Sequence, residues 1–130
     1  MPKLSRVMCV EDDPDIRMLI ELSLVTVGQL SVLCCASGRE ALASVTAFAP
    51  DLVLLDVMMP GLSGQETLQA LRQLPIMRGV PVVFMTAKAM PAEVEQLLLH
   101  GAAGLIIKPF DPMTLARDLH PFWKHGRGTC

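Results

Sequence analysis

Five short apolar runs alternate with helix-like segments along the chain, and this alternation limits the fold more than any other feature. The runs lie at residues 7–10, 31–35, 52–55, 80–85 and 105–107. The first, third and fifth are apolar at every position, which is typical of parallel strands buried on both faces. Five strand-then-helix units predict an α/β fold with a parallel sheet and right-handed crossovers.

Capping residues and prolines predict where the intervening helices begin. Asp13-Pro14 and Asp111-Pro112 each place a capping residue before a proline, as at the starts of the first and fifth helices. Ser37-Gly38-Arg39-Glu40 and Ser63-Gly64-Gln65-Glu66 have the spacing of capping boxes, which predicts the starts of the second and third. Pro91 can open the fourth helix.

Glycine and proline also predict where helices end. Gly28 should end the first helix and Gly101 the fourth. Pro121 should kink or end the last helix near Leu119, because a proline inside a helix removes a hydrogen bond and clashes with the preceding turn.

Length, composition and charge fit one domain. The chain has 130 residues, of which 52% are hydrophobic and 18% charged, and its formal net charge is −2. It is too short for a second domain of ordinary size but long enough to bury a hydrophobic core. We therefore expect a single domain over residues 1–130, with a core over about residues 5–123 and a flexible tail over residues 124–130.

The same features argue against several partners and locations. No cluster of Lys and Arg suggests direct nucleic-acid binding, and no apolar stretch approaches the roughly 20 residues that span a bilayer. Residues 1–6 lack an apolar signal sequence. The four cysteines, Cys9, Cys34, Cys35 and Cys130, form no C-x-x-C pair, and adjacent Cys34 and Cys35 would point to opposite faces of a strand. We expect no disulfide framework and a cytoplasmic protein.

Chemically active side chains follow four of the five predicted strands. Glu11-Asp12-Asp13 follows the first, Asp56 the third, Thr86 the fourth and Lys108 the fifth. Ligands of open α/β sheets bind just outside the carboxyl ends of the strands. We therefore expect these side chains to converge in one crevice.

Such a crevice would suit a divalent cation and a phosphoryl group. Crowded carboxylates repel each other unless a cation joins them, and Mg²⁺ prefers oxygen ligands, including phosphate and water. Lys108 would add a positive charge and Thr86 a neutral donor, which leaves space for one more anionic group. An aspartate can accept a phosphoryl group covalently, and cations would neutralise the transferring oxygens.

Four sequence blocks resemble the signature blocks of the receiver domains of response regulators in two-component systems. They stand in the same order and spacing over nearly the whole chain: Val10-Glu11-Asp12-Asp13-Pro14, Asp56-Val57-Met58-Met59-Pro60-Gly61, Met85-Thr86-Ala87 and Lys108-Pro109-Phe110. The resemblance implies a flavodoxin-like, doubly wound (βα)5 domain with strand order 2-1-3-4-5. It also implies a phosphorelay in which a histidine kinase or histidine phosphotransfer protein is the donor.

The resemblance further implies which residues handle the phosphoryl group. Asp56 would be the phosphoacceptor, Thr86 would hydrogen-bond the phosphoryl group after transfer, and Lys108 would pair with it. Lys108-Pro109 would be a cis peptide. Thr86, Ala87 and Pro109 would lie in the loops that respond to phosphorylation.

A metal site is implied at the same place. Mg²⁺ (or Mn²⁺) would be bound by Asp12 and Asp56, by Glu11 mainly through water, and by the backbone carbonyl of Met58. Met58 and Lys88 also stand at positions that affect the dephosphorylation rate in this family.

Leu105 departs from the family pattern. Receiver domains often carry Tyr or Phe at this position, three residues before the lysine, and the aromatic rotamer couples to the threonine. Leu105 cannot act as an aromatic switch, so we expect a loop-based switch or a different output face.

Three classes of function compete. A phosphoacceptor signalling domain, with Mg²⁺-dependent self-phosphorylation and autodephosphorylation, would bind a downstream protein or pass phosphate on, and homodimerisation stays open. A phosphatase of the haloacid dehalogenase type would need a second acid where Met58 stands. A degenerate receiver that only docks proteins is favoured by Leu105 and opposed by the intact acids, Thr86 and Lys108.

Overall fold

The computed structural model describes residues 4–87 and 90–127, with side chains described up to residue 123. Five strands form one parallel sheet, and their bounds are Arg6–Val10 (β1), Ser31–Cys35 (β2), Leu52–Asp56 (β3), Val82–Thr86 (β4) and Gly104–Ile107 (β5). Their order in the sheet is β2-β1-β3-β4-β5. The predicted fold class and strand order are confirmed.

Five α-helices connect and follow the strands. They are Pro14–Leu22 (α1), Gly38–Phe48 (α2), Gly64–Arg72 (α3), Pro91–Leu99 (α4) and Leu115–Arg127 (α5). A short 3-10 helix, Pro75–Met77, lies between α3 and β4. Among the described residues, no helix combines the length and apolar character that crossing a membrane requires.

The helix starts follow the capping signals in three of four cases. The Asp13 carboxylate accepts hydrogen bonds from the N–H groups of Asp15 and Ile16, and Ser63 and Glu66 form a complete capping box. The box predicted for α2 forms only in half. Ser37 accepts from the N–H of Glu40, but the Glu40 carboxylate accepts from Ala36, one residue before the cap.

The predicted start of the fifth helix is wrong by several residues. The Asp111 carboxylate accepts a hydrogen bond from the N–H of Met113 at 2.9 Å, so Asp111-Pro112 opens a turn that leads directly into α5, which begins at Leu115. An aspartate-proline pair can begin a turn as well as a helix. The sequence signal alone therefore does not show which of the two forms.

Of the two outcomes predicted for Pro121, an end of the last helix near Leu119 is wrong, because α5 continues to Arg127 with the proline inside it. The kink stays a prediction. Pro121 leaves the carbonyl of Arg117 without an intrahelical donor. Both residues lie on the exposed side of the helix, where water can bond that carbonyl. Helical backbone therefore extends into the segment expected to fray, while residues 128–130 lie outside the described part of the chain.

Side chains on the two faces of the sheet enter two separate cores. Met8, Leu55 and Phe84 pack with α2, α3 and α4 on one face. Cys9 and Leu54 pack with α1 and α5 on the other. This two-sided burial explains why the central strand is apolar up to its final aspartate.

The chain leaves α1 through a π-helical turn, Ser23–Val27, that the sequence did not indicate. Gly28 follows it, where a Cβ would lie 2.6 Å from the Cβ of Ala116 in α5. The buried Ser23 hydroxyl donates a hydrogen bond to the carbonyl of Pro112, just before α5. The end of α1 is therefore fixed against the segment that follows β5.

Candidate functional site

Residues from four strands meet at the carboxyl edge of the sheet. Asp56 ends β3 and Thr86 ends β4, while Glu11-Asp12 follows β1 and Lys108 follows β5. Because all strands are parallel, their carboxyl ends lie at one edge. The fold therefore brings together residues that are up to 97 positions apart in sequence.

Lys108 bridges two buried carboxylates. Its Nζ lies 3.0 Å from Oδ1 of Asp56 and 3.1 Å from Oε2 of Glu11. Only 5% of Asp56 and 1% of Glu11 are exposed. One ammonium group thus compensates two carboxylates that water hardly reaches, and a net negative charge remains.

Asp12 completes a cluster of acids suited to a cation. One carboxylate oxygen from each of Glu11, Asp12 and Asp56 lies within 4.8 Å of the other two. Oxygen ligands at this spacing are what Mg²⁺ or another hard divalent cation prefers. The predicted carboxylates are therefore close enough to share one ion.

Burial and neighbouring charges shift the pKa values of two residues of the site. Burial raises the pKa of Glu11, and the negative charge of Asp56 adds to that rise while the hydrogen bond from Lys108 opposes it. Burial alone would lower the pKa of Lys108, but its hydrogen bonds to Asp56 and Glu11 outweigh burial and raise it. Lys108 is therefore held in its charged form.

Backbone contacts fix the loops around Asp56 and Lys108. The N–H of Lys108 donates to the carbonyl of Thr86 at 2.8 Å, and the Lys108-Pro109 peptide is cis, as predicted. α3 begins directly against the end of β3, because a Cβ on Gly64 would lie 2.4 Å from the carbonyl oxygen of Asp56. Glycine at this position permits the close approach.

Arg17 holds the acidic loop and was not identified from sequence. Its Nη1 donates to the carbonyls of Glu11 and Asp12 at 2.9 and 3.2 Å. In the sequence Arg17 is one of several charged residues in a helical segment, and no motif marks it. Asp13 has the capping role predicted for it, and its N–H donates to Oε1 of Glu11 at 3.2 Å.

The remaining candidates lie in β4, in β5 and in the loops that follow β3, β4 and β5. Thr86 is 9% exposed at the end of β4, whereas Ala87 and Pro109 are exposed in the adjoining loops. The Met58 side chain is 79% exposed. Leu105 is half-buried and packs against the core shared with α2, α3 and α4. Lys88 lies outside the described residues.

One family of known proteins matches most of the chain. Residues 7–120 match the model of a family described as the response regulator receiver domain. The chain is 36% identical over 110 residues to the DNA-binding response regulator MtrA of Mycolicibacterium smegmatis, and the match covers 85% of this chain. It covers 46% of MtrA, so the chain spans about half the length of this relative.

Solved structures share the fold over nearly the whole chain. The chemotaxis response regulator CheY4 of Vibrio cholerae is 31% identical with a TM-score of 0.86, covering 92% of this chain and 98% of CheY4. The receiver domain of the sensor histidine kinase PA1611 of Pseudomonas aeruginosa is 29% identical with a TM-score of 0.81, covering 92% and 97% of the two chains. That structure holds a magnesium ion coordinated in its active-site cleft.

Proposed function

We propose, because this chain belongs to the response regulator receiver domain family, that it accepts a phosphoryl group on Asp56 and signals through changed contacts with another protein. The observation that carries the proposal is the arrangement around this carboxylate. Asp56 is buried at the end of β3, lies 3.0 Å from Lys108, and has a carboxylate oxygen within 4.8 Å of oxygens of two other acids.

The acidic cluster fits Mg²⁺ (or Mn²⁺), which we propose as the cofactor. Glu11, Asp12 and Asp56 would hold it, together with the backbone carbonyl of Met58. The bound ion would supply positive charge to the oxygens of the transferring phosphoryl group. The magnesium ion in the related receiver domain of PA1611 supports this assignment.

Three residues of the chain would act directly on the transferring phosphoryl group. A carboxylate oxygen of Asp56 would form the new P–O bond while the P–N bond to a donor histidine breaks. Lys108, already beside Asp56, would pair with a phosphoryl oxygen and stabilise its charge. The Thr86 hydroxyl, at the end of the neighbouring strand, would donate a hydrogen bond to another phosphoryl oxygen.

A histidine kinase or a histidine phosphotransfer protein would be the donor, as for receiver domains generally. We place this reaction in the cytoplasm, and the three free cysteines among the described residues agree with a reducing compartment. With leucine at position 105, we propose that the loops carrying Thr86-Ala87 and Pro109 transmit the change.

Phosphorylation by a small donor tests the proposal. The full chain would be incubated with acetyl phosphate, with and without Mg²⁺, and its intact mass recorded. We expect a single phosphoryl adduct that requires Mg²⁺. Asp56→Asn should abolish it, whereas the matched control Asp15→Asn, an exposed acid in the first turn of α1, should retain it.

Absence of an adduct from the folded wild-type chain under both conditions would contradict the proposal. A domain that only docks proteins would then be the better explanation. An adduct that survives Asp56→Asn would place the acceptor elsewhere.

A further inference from the structure

We propose that Cys9 and Cys34 form a reversible intramolecular disulfide when the protein meets a hydroperoxide, and that Cys34 is the thiol oxidised first. This modification site is separate from phosphorylation and does not depend on the proposed function. It is carried by the relative positions, contacts and exposure of the two sulfur atoms.

The two cysteines are direct neighbours across the sheet. Cys9 of β1 and Cys34 of β2 are paired in register. Adjacent strands lie about 4.8 Å apart, which is within the Cα separation of about 4.4 to 6.8 Å that disulfides span. Both side chains belong to the core beneath α1 and α5, whereas Cys35 belongs to the core on the opposite face.

The two side chains are direct neighbours on one face of the sheet. The Sγ of Cys34 also lies 3.9 Å from the carbonyl oxygen of Arg17 in α1. Because Cys9 and Cys34 are already register partners, a bond between the sulfurs would require side-chain rotation and a small strand adjustment and would keep the strand pairing.

Exposure and charge separate the roles of the two thiols. Cys9 is fully buried, whereas Cys34 is half-buried, so a small oxidant reaches Cys34 first. The neighbouring Cys9 thiol lowers the pKa of Cys34. Burial and Glu21 oppose this, and Arg17 supports it. A lowered pKa increases the thiolate fraction, which is the form that hydroperoxides oxidise.

The reaction balances with the hydroperoxide as the oxidant. The Cys34 thiolate attacks one peroxide oxygen, the O–O bond breaks, and the leaving oxygen takes up a proton, which yields a sulfenic acid and water or an alcohol. The Cys9 sulfur then attacks the Cys34 sulfur. The S–S bond forms, the S–O bond breaks, and the hydroxyl group leaves as water with the Cys9 proton.

The pair lies beside the acidic site. Cys9 is two residues before Glu11 in the chain. Arg17 connects Cys34 to the same loop: its backbone carbonyl contacts the Cys34 sulfur, and its side chain donates to the carbonyls of Glu11 and Asp12. The disulfide would therefore form at the root of the loop that carries the two acids.

Peptide mapping after oxidation tests the proposal. The reduced full chain would be treated with hydrogen peroxide, unreacted thiols alkylated, and the protein digested without reductant. We expect an intact-mass loss equal to two hydrogen atoms, a Cys9–Cys34 linked peptide, and reversal by dithiothreitol. Cys35→Ser should form the same link, because Cys35 pairs with Val10 and belongs to the core on the opposite face. Cys130→Ser, at a position outside the described residues, should form it as well.

Two further variants test the order of events. Cys34→Ser should abolish the mass loss, and Cys9→Ala should leave a sulfenic acid on Cys34 that dimedone captures. No Cys9–Cys34 link in wild-type protein with an unchanged circular dichroism spectrum would overturn the proposal. A mass loss that persists in Cys34→Ser, or dimedone capture on another cysteine of Cys9→Ala, would do so equally.

Discussion

Lys108 determines the charge balance of the site, because it is shared between Asp56 and Glu11. A lysine between two buried carboxylates reduces their mutual repulsion, but it cannot fully neutralise them. Either a bound divalent cation or a change of protonation must supply the rest.

Removal of the lysine should destabilise the protein and increase its response to Mg²⁺. Lys108→Ala leaves two buried carboxylates without their cation, so we expect the free energy of unfolding in metal-free buffer to fall by about 3 kcal/mol. Mg²⁺ should restore more stability to this variant than to wild type, because it replaces the missing charge. Urea unfolding with and without Mg²⁺ measures both effects.

Arg117→Ala is the matched control for that experiment. Its ion pair with Asp118 is exposed, at 3.6 Å, and such pairs contribute little to stability. The variant should unfold like wild type and respond equally to Mg²⁺. Equal losses in both variants, or an unchanged Mg²⁺ response in Lys108→Ala, would show that Lys108 does not compensate the carboxylates.

The affinity for Mg²⁺ should fall as the pH is lowered. The fall should begin at a higher pH than for a site made of carboxylates with ordinary pKa values. The pKa of Glu11 is raised above 4.5, and the carboxylate must lose its proton before it helps bind a cation. Affinity should therefore be full above the raised pKa and fall as the pH drops through it. Calorimetric titration over a pH series measures this, and Glu11→Gln should remove the corresponding proton release. Proton release that persists in this variant would assign the titration to another group.

At the scale of elements, α5 shows how tertiary packing outweighs a local signal. The helix continues through Pro121 because Leu115 and Leu119 are buried against the sheet, and Phe122 packs beside Gly104. Burial of such side chains contributes about 1.5–3 kcal/mol each, which exceeds the cost of one lost backbone hydrogen bond on the solvent side.

Pro121→Ala should therefore stabilise the protein. Alanine restores the hydrogen bond to the carbonyl of Arg117 and removes the proline clash, so we expect a gain of about 1–3 kcal/mol in the free energy of unfolding. The matched control is Pro91→Ala at the first position of α4, where proline is tolerated and little change is expected. Chemical unfolding compares the two, and no gain in Pro121→Ala would indicate a helix that ends before this residue.

Sequence patterns predicted the elements whose signals are local. The fully apolar runs marked β1, β3 and β5, and Asp13 and Ser63 marked two helix starts. The π-helical turn after α1 contacts α5 and bonds Pro112 just before it, about ninety residues away in the chain, and no local pattern indicated it. The turn can be recognised only when the positions of α1 and α5 are both known.

The candidate site was predictable for a related reason. Asp56, Thr86 and Lys108 stand at strand ends, and a parallel sheet brings strand ends together whatever their separation in sequence. Arg17 was missed because its role is a contact with two backbone carbonyls, which no residue pattern announces. The pairing of Cys9 with Cys34 likewise required the strand register.

At the scale of the whole molecule, the site and its loops occupy one edge of the sheet. β2, at one side of the sheet, contributes none of the predicted site residues, and the amino-terminal edge lies at the opposite end of every strand. A change that begins at Asp56 should therefore spread first through the loops that follow β3, β4 and β5.

Hydrogen exchange should show this difference between the carboxyl and amino-terminal edges of the sheet. With acetyl phosphate and Mg²⁺, we expect slower exchange in the loops at residues 57–63 and 108–114, and unchanged exchange in β2 and in the segment 73–81 at the opposite edge. Phosphorylation adds hydrogen-bond acceptors and charge only at the carboxyl edge. Mass spectrometry of wild type and Asp56→Asn gives the comparison, and equal protection at both edges would argue against a loop-based switch.

The central claim is that Asp56 is the phosphoacceptor, and locating the adduct chemically tests it most directly. Wild-type protein treated with acetyl phosphate and Mg²⁺ would be reduced with sodium borohydride, which converts an aspartyl phosphate into homoserine, and then digested and sequenced by mass spectrometry. We predict homoserine at position 56 and unmodified aspartate at position 12. Homoserine at position 12, or a phosphoryl adduct with position 56 unchanged, would contradict the claim.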